Sequence, residues 1–505
     1  MTVASLRAHL LATAVAAIAV GCGDPPPSEI PCSSDSPCPE GTRCASGPVH
    51  ELHFEPDDHG VCRSVDELIG SAQDWPWQPG GRALADRLCA AQGLSPGDSP
   101  ELVARRSRQR ELLAASGVRM IRLDLPWATI EPARGQWEFQ AIDPMIDAAN
   151  ALGLDVVALL AYGAPWAAAG SNGNPMYPPD DPADYAAYAE QVARHYAGRI
   201  HRFELWNEEN AGWRFFLPTA QGDPARYADL MVAAAHAIHG VCADCTVLSG
   251  GLVFHEALVN GAIEFAHDLQ TARPDALAAV DVFAFHAYPV YWPRQPPEAD
   301  GDGERSLGGM AGDMRAVLDL HHAPALPLAA TELGWPSYES VDEATQARFL
   351  ARALLLGGSL GLDPVCWYNV TDGPNHGTFP PEDDFGLYRF GSEDPAQPIV
   401  AKPARDALAW LARIGASAVP TGPLADPALH DPQAGRFALE LASPAGAWVA
   451  LWRTDGQTAQ VQLAGETRTA YDVTGHAIAQ PAADGLAITI GADPIYLVPA
   501  GVLGP

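Results

Sequence analysis

The sequence predicts an α/β fold: a (β/α)8 TIM barrel with a C-terminal antiparallel β-sandwich and a Cys-rich N-terminal segment. Between residues 118 and 369, short runs of β-branched and aromatic residues alternate with longer stretches of helical spacing, which is typical of repeated βα units. After residue 415 the pattern changes to short alternating strands with turns such as Asp455-Gly456. A chain of 505 residues also exceeds what one hydrophobic core usually serves.

The barrel is expected to span residues 71–415. Strands are predicted at 118–125, 155–162, 202–206, 246–253, 280–286, 326–332 and 364–369. Helices are predicted at 99–115, 141–151, 182–196, 224–239, 258–269, 305–320, 343–356 and 404–411. A closed barrel needs one more strand, and we place it between residues 80 and 92 by this count alone, because that stretch has no clean strand pattern.

The C-terminal sandwich is expected to occupy residues 416–505 as an accessory domain. Its strands are predicted at 436–441, 447–453, 458–463, 467–473, 486–490 and 494–498. Six short strands separated by turn residues favour two small antiparallel sheets packed face to face.

The N-terminus predicts export. Arg7 and His9 precede an apolar run over residues 10–20 that is too short to span a bilayer. The run ends in Ala19-Val20-Gly21-Cys22, which resembles the lipobox of bacterial lipoproteins. This resemblance implies a signal peptide over residues 1–21, acylation of Cys22, and an extracytoplasmic site in the bacterial cell envelope, at the outer membrane or cell surface. An ordinary signal peptide that ends beside a cysteine is the alternative.

The cysteines agree with an oxidising compartment. The Pro-, Ser- and Gly-rich tether over residues 22–70 contains four cysteines after Cys22, and they predict a small disulfide-bonded piece with three alternative connectivities. They are Cys32, Cys38, Cys44 and Cys62. Cys89 and Cys366 are interpreted as buried free thiols.

A possible metal site lies at the end of the helix predicted at 224–239. His236, His239, Cys242 and Cys245 have the spacing H-x2-H-x2-C-x2-C, and four such ligands suit zinc. In an exported chain, a local Cys242–Cys245 disulfide beside two surface histidines is the favoured interpretation. We therefore expect neither a metal nor a cofactor.

Charge and composition restrict the partners. The formal net charge of −32 argues against nucleic acid and anionic membrane surfaces, since both attract Lys and Arg. With 48% hydrophobic and 18% charged residues, the chain is expected to be globular. Contact with a membrane is then expected only through the lipid anchor.

Two carboxylates stand where a barrel carries its chemistry, at the C-terminal ends of strands. Glu208 follows the fourth strand and Glu332 ends the seventh, so they are expected to face each other across the barrel mouth. Glycoside hydrolysis needs such a pair, one protonated and one ionised. Alone, Asn207-Glu208 would more often be a helix cap. Glu209 competes for the acid role, and we expect it to be solvated or structural.

Five short motifs occur in a defined order between residues 117 and 405. They are residues 118–124 followed by Trp127 and Glu131-Pro132, then Trp206-Asn207-Glu208, Phe285-His286-Ala287-Tyr288-Pro289, Thr331-Glu332-Leu333-Gly334-Trp335 and Val365-Cys366-Trp367-Tyr368. In this order they resemble strands two, four, six, seven and eight of clan A glycoside hydrolases, and they are similar to the family of β-xylosidases and related exo-glycosidases. Glu209 departs from that family, which commonly has Pro after the acid/base.

The resemblance implies a retaining glycoside hydrolase that cleaves O-glycosidic bonds of β-linked poly- or oligosaccharides by double displacement. Glu208 would be the acid/base and Glu332 the nucleophile. Asn207 would bind the 2-hydroxyl of the sugar, while Arg122 and Tyr288 would stabilise the Glu332 anion. A carbohydrate-binding cell-surface scaffold without turnover is the alternative function.

The remaining candidate substrate-binding residues are His286, Trp127, Trp166 and Trp367. By the resemblance, His286 lines the sugar site and Trp367 forms its floor, because aromatic faces suit the C–H surface of a sugar. Core packing is the alternative for Trp166 and Trp367. The sequence leaves open the sugar, the linkage and the oligomeric state.

Overall fold

A computed structural model describes residues 31–32, 43–45, 60–63, 75–78, 80–92, 100–218, 222–254, 261–288, 295–299, 305–373, 380–391, 394 and 396–503. The chain divides into two compact units, Met1–Ser71 and Ala72–Pro505. The first contains a three-stranded antiparallel sheet of Pro31–Cys32, Gly60–Arg63 and Arg43–Ala45, in that order. Cys22, Cys38 and the side chains of the other tether cysteines lie outside the description. Among the described residues, we find no helix with the length and hydropathy required to traverse a bilayer.

The second unit begins with a closed barrel of eight parallel strands, as predicted. Each strand hydrogen-bonds to its neighbours in sequence, and the last pairs with the first. The strands are β1 (Leu88–Gln92), β2 (Met120–Leu125), β3 (Asp155–Leu160), β4 (Arg202–Asn207), β5 (Thr246–Val253), β6 (Phe283–His286), β7 (Leu328–Leu333) and β8 (Val365–Tyr368). The first strand, placed by count, therefore lies within its predicted window.

One long helix follows each strand. The helices are α1 (Pro100–Ala115), α2 (Asp143–Ala151), α3 (Pro182–His195), α4 (Pro224–Val241), α5 (Ala262–Ala272), α6 (Leu307–Leu320), α7 (Glu343–Ser359) and α8 (Pro403–Ile414). Asp181, Asp223, Ser306 and Asp342 precede α3, α4, α6 and α7, and each side chain accepts a hydrogen bond from a backbone N–H of its first turn. Such caps fix where a helix begins.

The seam between β8 and β1 corrects one prediction. Cys89 and Cys366 form a disulfide, so they are not free thiols. The register places the two residues opposite each other on neighbouring strands, with Cα atoms 4.1 Å apart. Both belong to a fully buried cluster with Met120 and Val157 from β2 and β3. The sequence could not reveal this pairing, because β1 was located by count and its register was unknown.

At the end of α4, the structure contains the favoured disulfide between Cys242 and Cys245. It uses the two thiols that a zinc site would have required. His239 lies 3.0 Å from a carboxylate oxygen of Asp281.

The C-terminal part forms two antiparallel sheets. The larger has the order β9 (Val419–Pro423), β10 (Arg436–Ala442), β11 (Trp448–Arg453), β16 (Ile495–Val498), β13 (Thr469–Tyr471) and β14 (Ala477–Ala479). The smaller pairs β12 (Ala459–Leu463) with β15 (Leu486–Ile490). Side chains from both sheets share one apolar core. Strands β9 and β14 were not predicted. Because β9 is an edge strand, it tolerates Pro420 and Pro423, which hide its pattern.

Candidate active site

The C-terminal ends of β4, β6 and β7 bring three polar side chains together. One carboxylate oxygen each from Glu208 and Glu332 and a ring nitrogen of His286 lie within 4.8 Å of one another. The two carboxylates thus come from different walls and meet at one point, as the sequence predicts. Retaining glycosidases hold their two carboxyl groups roughly 5 to 5.5 Å apart, and an approach of two oxygens to within 4.8 Å is compatible with that spacing.

Glu332 is held as an anion. The Nη1 of Arg122 donates to its Oε1 at 2.6 Å, and the Tyr288 hydroxyl donates to its Oε2 at 2.9 Å. Burial alone would raise the pKa of Glu332. The charges of His286 and Arg122, with the hydrogen bonds from Tyr288 and Arg122, outweigh it and lower the pKa below its usual value. A low pKa keeps a nucleophilic carboxylate ionised.

Arg122 is fixed by a second carboxylate that the sequence reasoning missed. Its Nε and Nη2 donate to the two oxygens of Glu204 at 2.6 and 3.1 Å, and Nη2 also donates to Oδ1 of Asn207 at 3.0 Å. Thr331 donates to Glu204 at 2.8 Å. Burial opposes the charge of Arg122, but Glu204 and Glu332 raise its pKa well above its usual value. A charged residue inside the apolar strand β4 is the signal that could have revealed Glu204.

Two residues with positive φ angles, Trp206 and Glu208, set the direction of the Glu208 side chain. The φ of Glu208 is +50° and that of Trp206 is +76°, and such strained conformations cluster at functional sites. The N–H of Glu208 donates to the carbonyl oxygen of Gly251 at 3.2 Å, and its Oε1 lies 2.8 Å from Nδ1 of His286. Glycine is required at 251, because a Cβ there would lie 2.1 Å from Nε2 of His286.

Trp367 does not form the floor of the site. It is fully buried, its Nε1 donates to the carbonyl of Phe385, and its ring stacks on Trp335. Alternate residues of a strand point to opposite faces, and Cys366 points into the barrel, so Trp367 points away from it. Tyr368 then shares the inner face. It is partly exposed, and burial followed by the charges of Glu382 and Glu332 raises its pKa.

Trp127 and Trp166 pack against each other after β2 and β3. Trp127 is fully buried, stacks on Tyr188 with ring centroids 5.2 Å apart, and donates to Glu131. Trp166 packs edge-on against Trp127 at 5.5 Å and donates to the backbone of Glu131, while the guanidinium of Arg134 lies 4.7 Å from its ring centroid. These contacts stabilise the loop after β2, and the substrate-binding role of the two rings stays a prediction.

Glu209 is structural and not solvated. Its side chain is fully buried, and burial raises its pKa well above the usual value, so the neutral form is favoured. Its carboxyl packs closely against Gly250, because a Cβ on that residue would lie 2.2 Å from Oε2 of Glu209. This carboxyl therefore does not compete with Glu208 for the acid role.

The fold and the carboxylate pair together define a (β/α)8 barrel with two facing acidic residues at the ends of β4 and β7. No protein-family profile and no curated protein sequence matches the chain. Solved structures do match. A family 39 glycoside hydrolase from Bacteroides cellulosilyticus WH2 has 21% identity and a TM-score of 0.64, over 83% of this chain and 81% of that one.

Two further structures show the same fold. A GH39 β-xylosidase from Caulobacter crescentus has 17% identity and a TM-score of 0.56, over 84% of this chain and 98% of that one. A GH30 endoxylanase from Clostridium papyrosolvens C71 has 12% identity and a TM-score of 0.53, over 83% and 96%. The likeness confirms the predicted barrel and its resemblance to the clan A glycoside hydrolases at the level of the fold.

Proposed function

We propose that the protein is a retaining glycoside hydrolase that cleaves O-glycosidic bonds in β-linked poly- or oligosaccharides. One observation carries the proposal. Two carboxylates from different walls lie within reach of one anomeric centre, and one of them, Glu332, is held ionised by Arg122 and Tyr288. Double displacement needs this difference between its two carboxyl groups.

In the first step, Glu332 attacks the anomeric carbon while Glu208 gives its proton to the departing oxygen. The ester formed on Glu332 carries no charge, so Glu208 next accepts a proton from the water that attacks the same carbon. The bond from this carbon to Glu332 breaks in this step, which releases the sugar and restores the Glu332 carboxylate. His286, 2.8 Å from Glu208, orients the acid/base. Asn207 turns its Oδ1 to Arg122, which leaves its amide N–H groups to donate to the sugar 2-hydroxyl.

The scaffold alternative is less well supported. A protein that only binds sugar has no need for a buried guanidinium shared between Glu204 and Glu332. Burying these charges is costly, and an apolar core would often be as stable or more stable. The cost is understandable if the ionised Glu332 reacts.

For the substrate, we propose β-linked xylose oligomers as the first to test, because two of the similar structures are described as a β-xylosidase and an endoxylanase. For the location, we propose export and attachment to the bacterial cell envelope through a lipid on Cys22. The apolar run and lipobox support this location. Cys22→Ser should then move the protein from the membrane fraction to the soluble fraction, with the mass of the attached lipid lost from the N-terminal peptide.

The function is tested with a panel of aryl β-glycosides and xylo-oligosaccharides. Wild type should hydrolyse at least one of them with retention at the anomeric carbon, and Glu332→Gln should lose roughly 10⁴-fold or more of the activity. Glu190→Gln, on the outer surface of α3, is the matched control and should retain full activity. A wild type that turns over none of these substrates but binds them would favour the scaffold.

Azide separates the two carboxylates. Added to Glu208→Ala with an activated aryl glycoside, azide should replace water in the second step and give the β-glycosyl azide. Added to Glu332→Ala, it should attack directly and give the α-azide. The reverse pattern would exchange the two roles.

A further inference from the structure

A short helix, Gly212–Phe215, follows Glu208 on the same loop. The carbonyl of Glu208 accepts the N–H of Ala211, whose own carbonyl accepts those of Arg214 and Phe215, all at 2.8 to 2.9 Å. The Nε1 of Trp206 donates to the carbonyl of Phe215 at 2.8 Å. The helix is therefore tied to the end of β4 on both sides of the acid/base.

Two side chains of the helix contact groups that interact with the carboxylate pair. Phe215 stacks on Tyr162 with ring centroids 5.7 Å apart and rings nearly parallel. Arg214 lies over the Phe215 ring, and its Nη2 is 3.8 Å from Oε1 of Glu382. Burial raises the pKa values of Tyr162 and Glu382. Arg214 opposes this rise at Glu382, while the charges of Glu208 and Glu332 add to it at both residues. Both side chains therefore lie in the electrostatic field of the pair.

Trp213 is the exposed member of this helix. Its relative exposure is 51%, and the other large hydrophobic side chains that are exposed in the described part of the chain are aliphatic: Val103, Val400 and Ile478. A single exposed indole needs no explanation by itself. Its place in the chain is what matters, because Trp213 precedes Arg214 of the ion pair in the short helix that follows Glu208. An aromatic face for C–H groups beside a charged pair for hydroxyls is what a sugar ring requires.

We propose that Trp213 and the Arg214–Glu382 ion pair form a subsite for a second sugar on the leaving-group side of the scissile bond. The acid/base must lie beside the departing oxygen, so the loop that carries Glu208 borders the leaving group. The proposal rests on the proposed function and narrows it. The preferred substrate is an oligosaccharide whose leaving group is itself a sugar.

The test compares two substrates of the same sugar, xylose first: a β-glycosyl fluoride, which has no sugar on the leaving-group side, and the trisaccharide. Trp213→Ala should lower kcat/KM for the trisaccharide by about tenfold, the size expected from losing one aromatic stacking partner, and leave the fluoride unchanged. Trp213→Phe keeps a ring and should recover most of the loss. Ile478→Ala, an exposed side chain on the C-terminal sheet, is the matched control and should change neither substrate.

A second readout uses the glycosyl-enzyme formed from the fluoride. Added trisaccharide competes with water for this intermediate from the leaving-group side, so Trp213→Ala should lower the yield of transfer product while total fluoride release is unchanged. Equal losses on both substrates, or no loss on the trisaccharide, would overturn the subsite and leave the proposed function intact. A wild type inactive on both substrates, with every sugar of the aryl glycoside panel, would overturn the proposed function and the subsite with it.

Discussion

At the scale of single residues, the site consists of two carboxylates and the side chains that set their charge and position. Glu208, Glu332 and His286 stand at strand ends, Arg122 lies within β2, and the structure brings them together. Glu204 was missed because its role depends on which residue lies opposite it inside the barrel. The resemblance to the clan assigns the floor to Trp367, whereas the pleat of β8 turns Tyr368 to that face. A short motif does not reveal which of two neighbouring residues in a strand faces the inside of the barrel.

The hydroxyl of Tyr288 should set the acid limb of the pH profile. It donates to Oε2 of Glu332 and helps to lower the pKa of that carboxyl, so Tyr288→Phe should raise this pKa. The acid limb of kcat/KM should move to higher pH, and the maximum should fall by about 10- to 100-fold. Tyr471→Phe, on the C-terminal sheet, is the control. An acid limb that stays in place would show that Tyr288 does not stabilise the ionised Glu332.

Because Glu209 is buried in its neutral form, the protein should lose stability as the pH rises. The pKa of Glu209 is raised in the folded state by burial and by the charges of Glu204 and Glu208. The contribution of Glu209 to the free energy of unfolding is therefore fully present below its pKa in the unfolded chain, about 4.5. It is lost as the pH rises toward the pKa in the folded state. Glu209→Gln cannot ionise, so its Tm relative to wild type should increase steadily from about pH 4 to about pH 8. A Tm difference that does not vary with pH would contradict a neutral, buried Glu209.

At the scale of elements, periodicity located seven barrel strands and the helices to within a few residues. The remaining strand, β1, contains two alanines and ends in Gln92, so it lacks the β-branched and aromatic residues that mark a strand. It was found only because a barrel must close. Its register against β8 could not be predicted, so the disulfide that depends on this register could not be predicted either. The strand β9 was hidden for a different reason, since its two prolines are compatible with a sheet edge alone.

The Cys89–Cys366 disulfide should stabilise the closure of the barrel. It links positions 277 residues apart, and a crosslink over a long loop restricts the unfolded chain strongly. Replacing both cysteines by Ala should lower the free energy of unfolding by about 2 to 5 kcal/mol in a urea titration. Replacing Cys242 and Cys245, which enclose a short loop, should cost clearly less and is the control. Equal losses for the two double variants would argue against a constraint on barrel closure.

At the scale of the whole molecule, the change of pattern near residue 415 predicts a barrel followed by a sandwich. It does not predict how the two are joined. Arg352 in α7 donates to the backbone carbonyls of Arg453 and Ala492 at 2.9 and 2.7 Å, which lie in the sandwich. Glu298 lies 3.4 Å from Arg352 and accepts from Nε1 of Trp452 at 2.7 Å. A buried charge pair therefore joins the two parts, and no local pattern indicates it.

This junction should make the two parts unfold together. Arg352→Met removes both backbone contacts and leaves Glu298 buried without its cation, which should cost about 3 to 5 kcal/mol. Combining it with Glu298→Gln removes the unpaired charge while Gln can still accept from Trp452, so the double variant should recover part of the loss. Calorimetry should show one transition for wild type and an earlier, separate transition of the sandwich for Arg352→Met. If the double variant is as unstable as the single one, the instability comes from the two lost backbone hydrogen bonds. The unpaired Glu298 carboxylate would then contribute nothing to it.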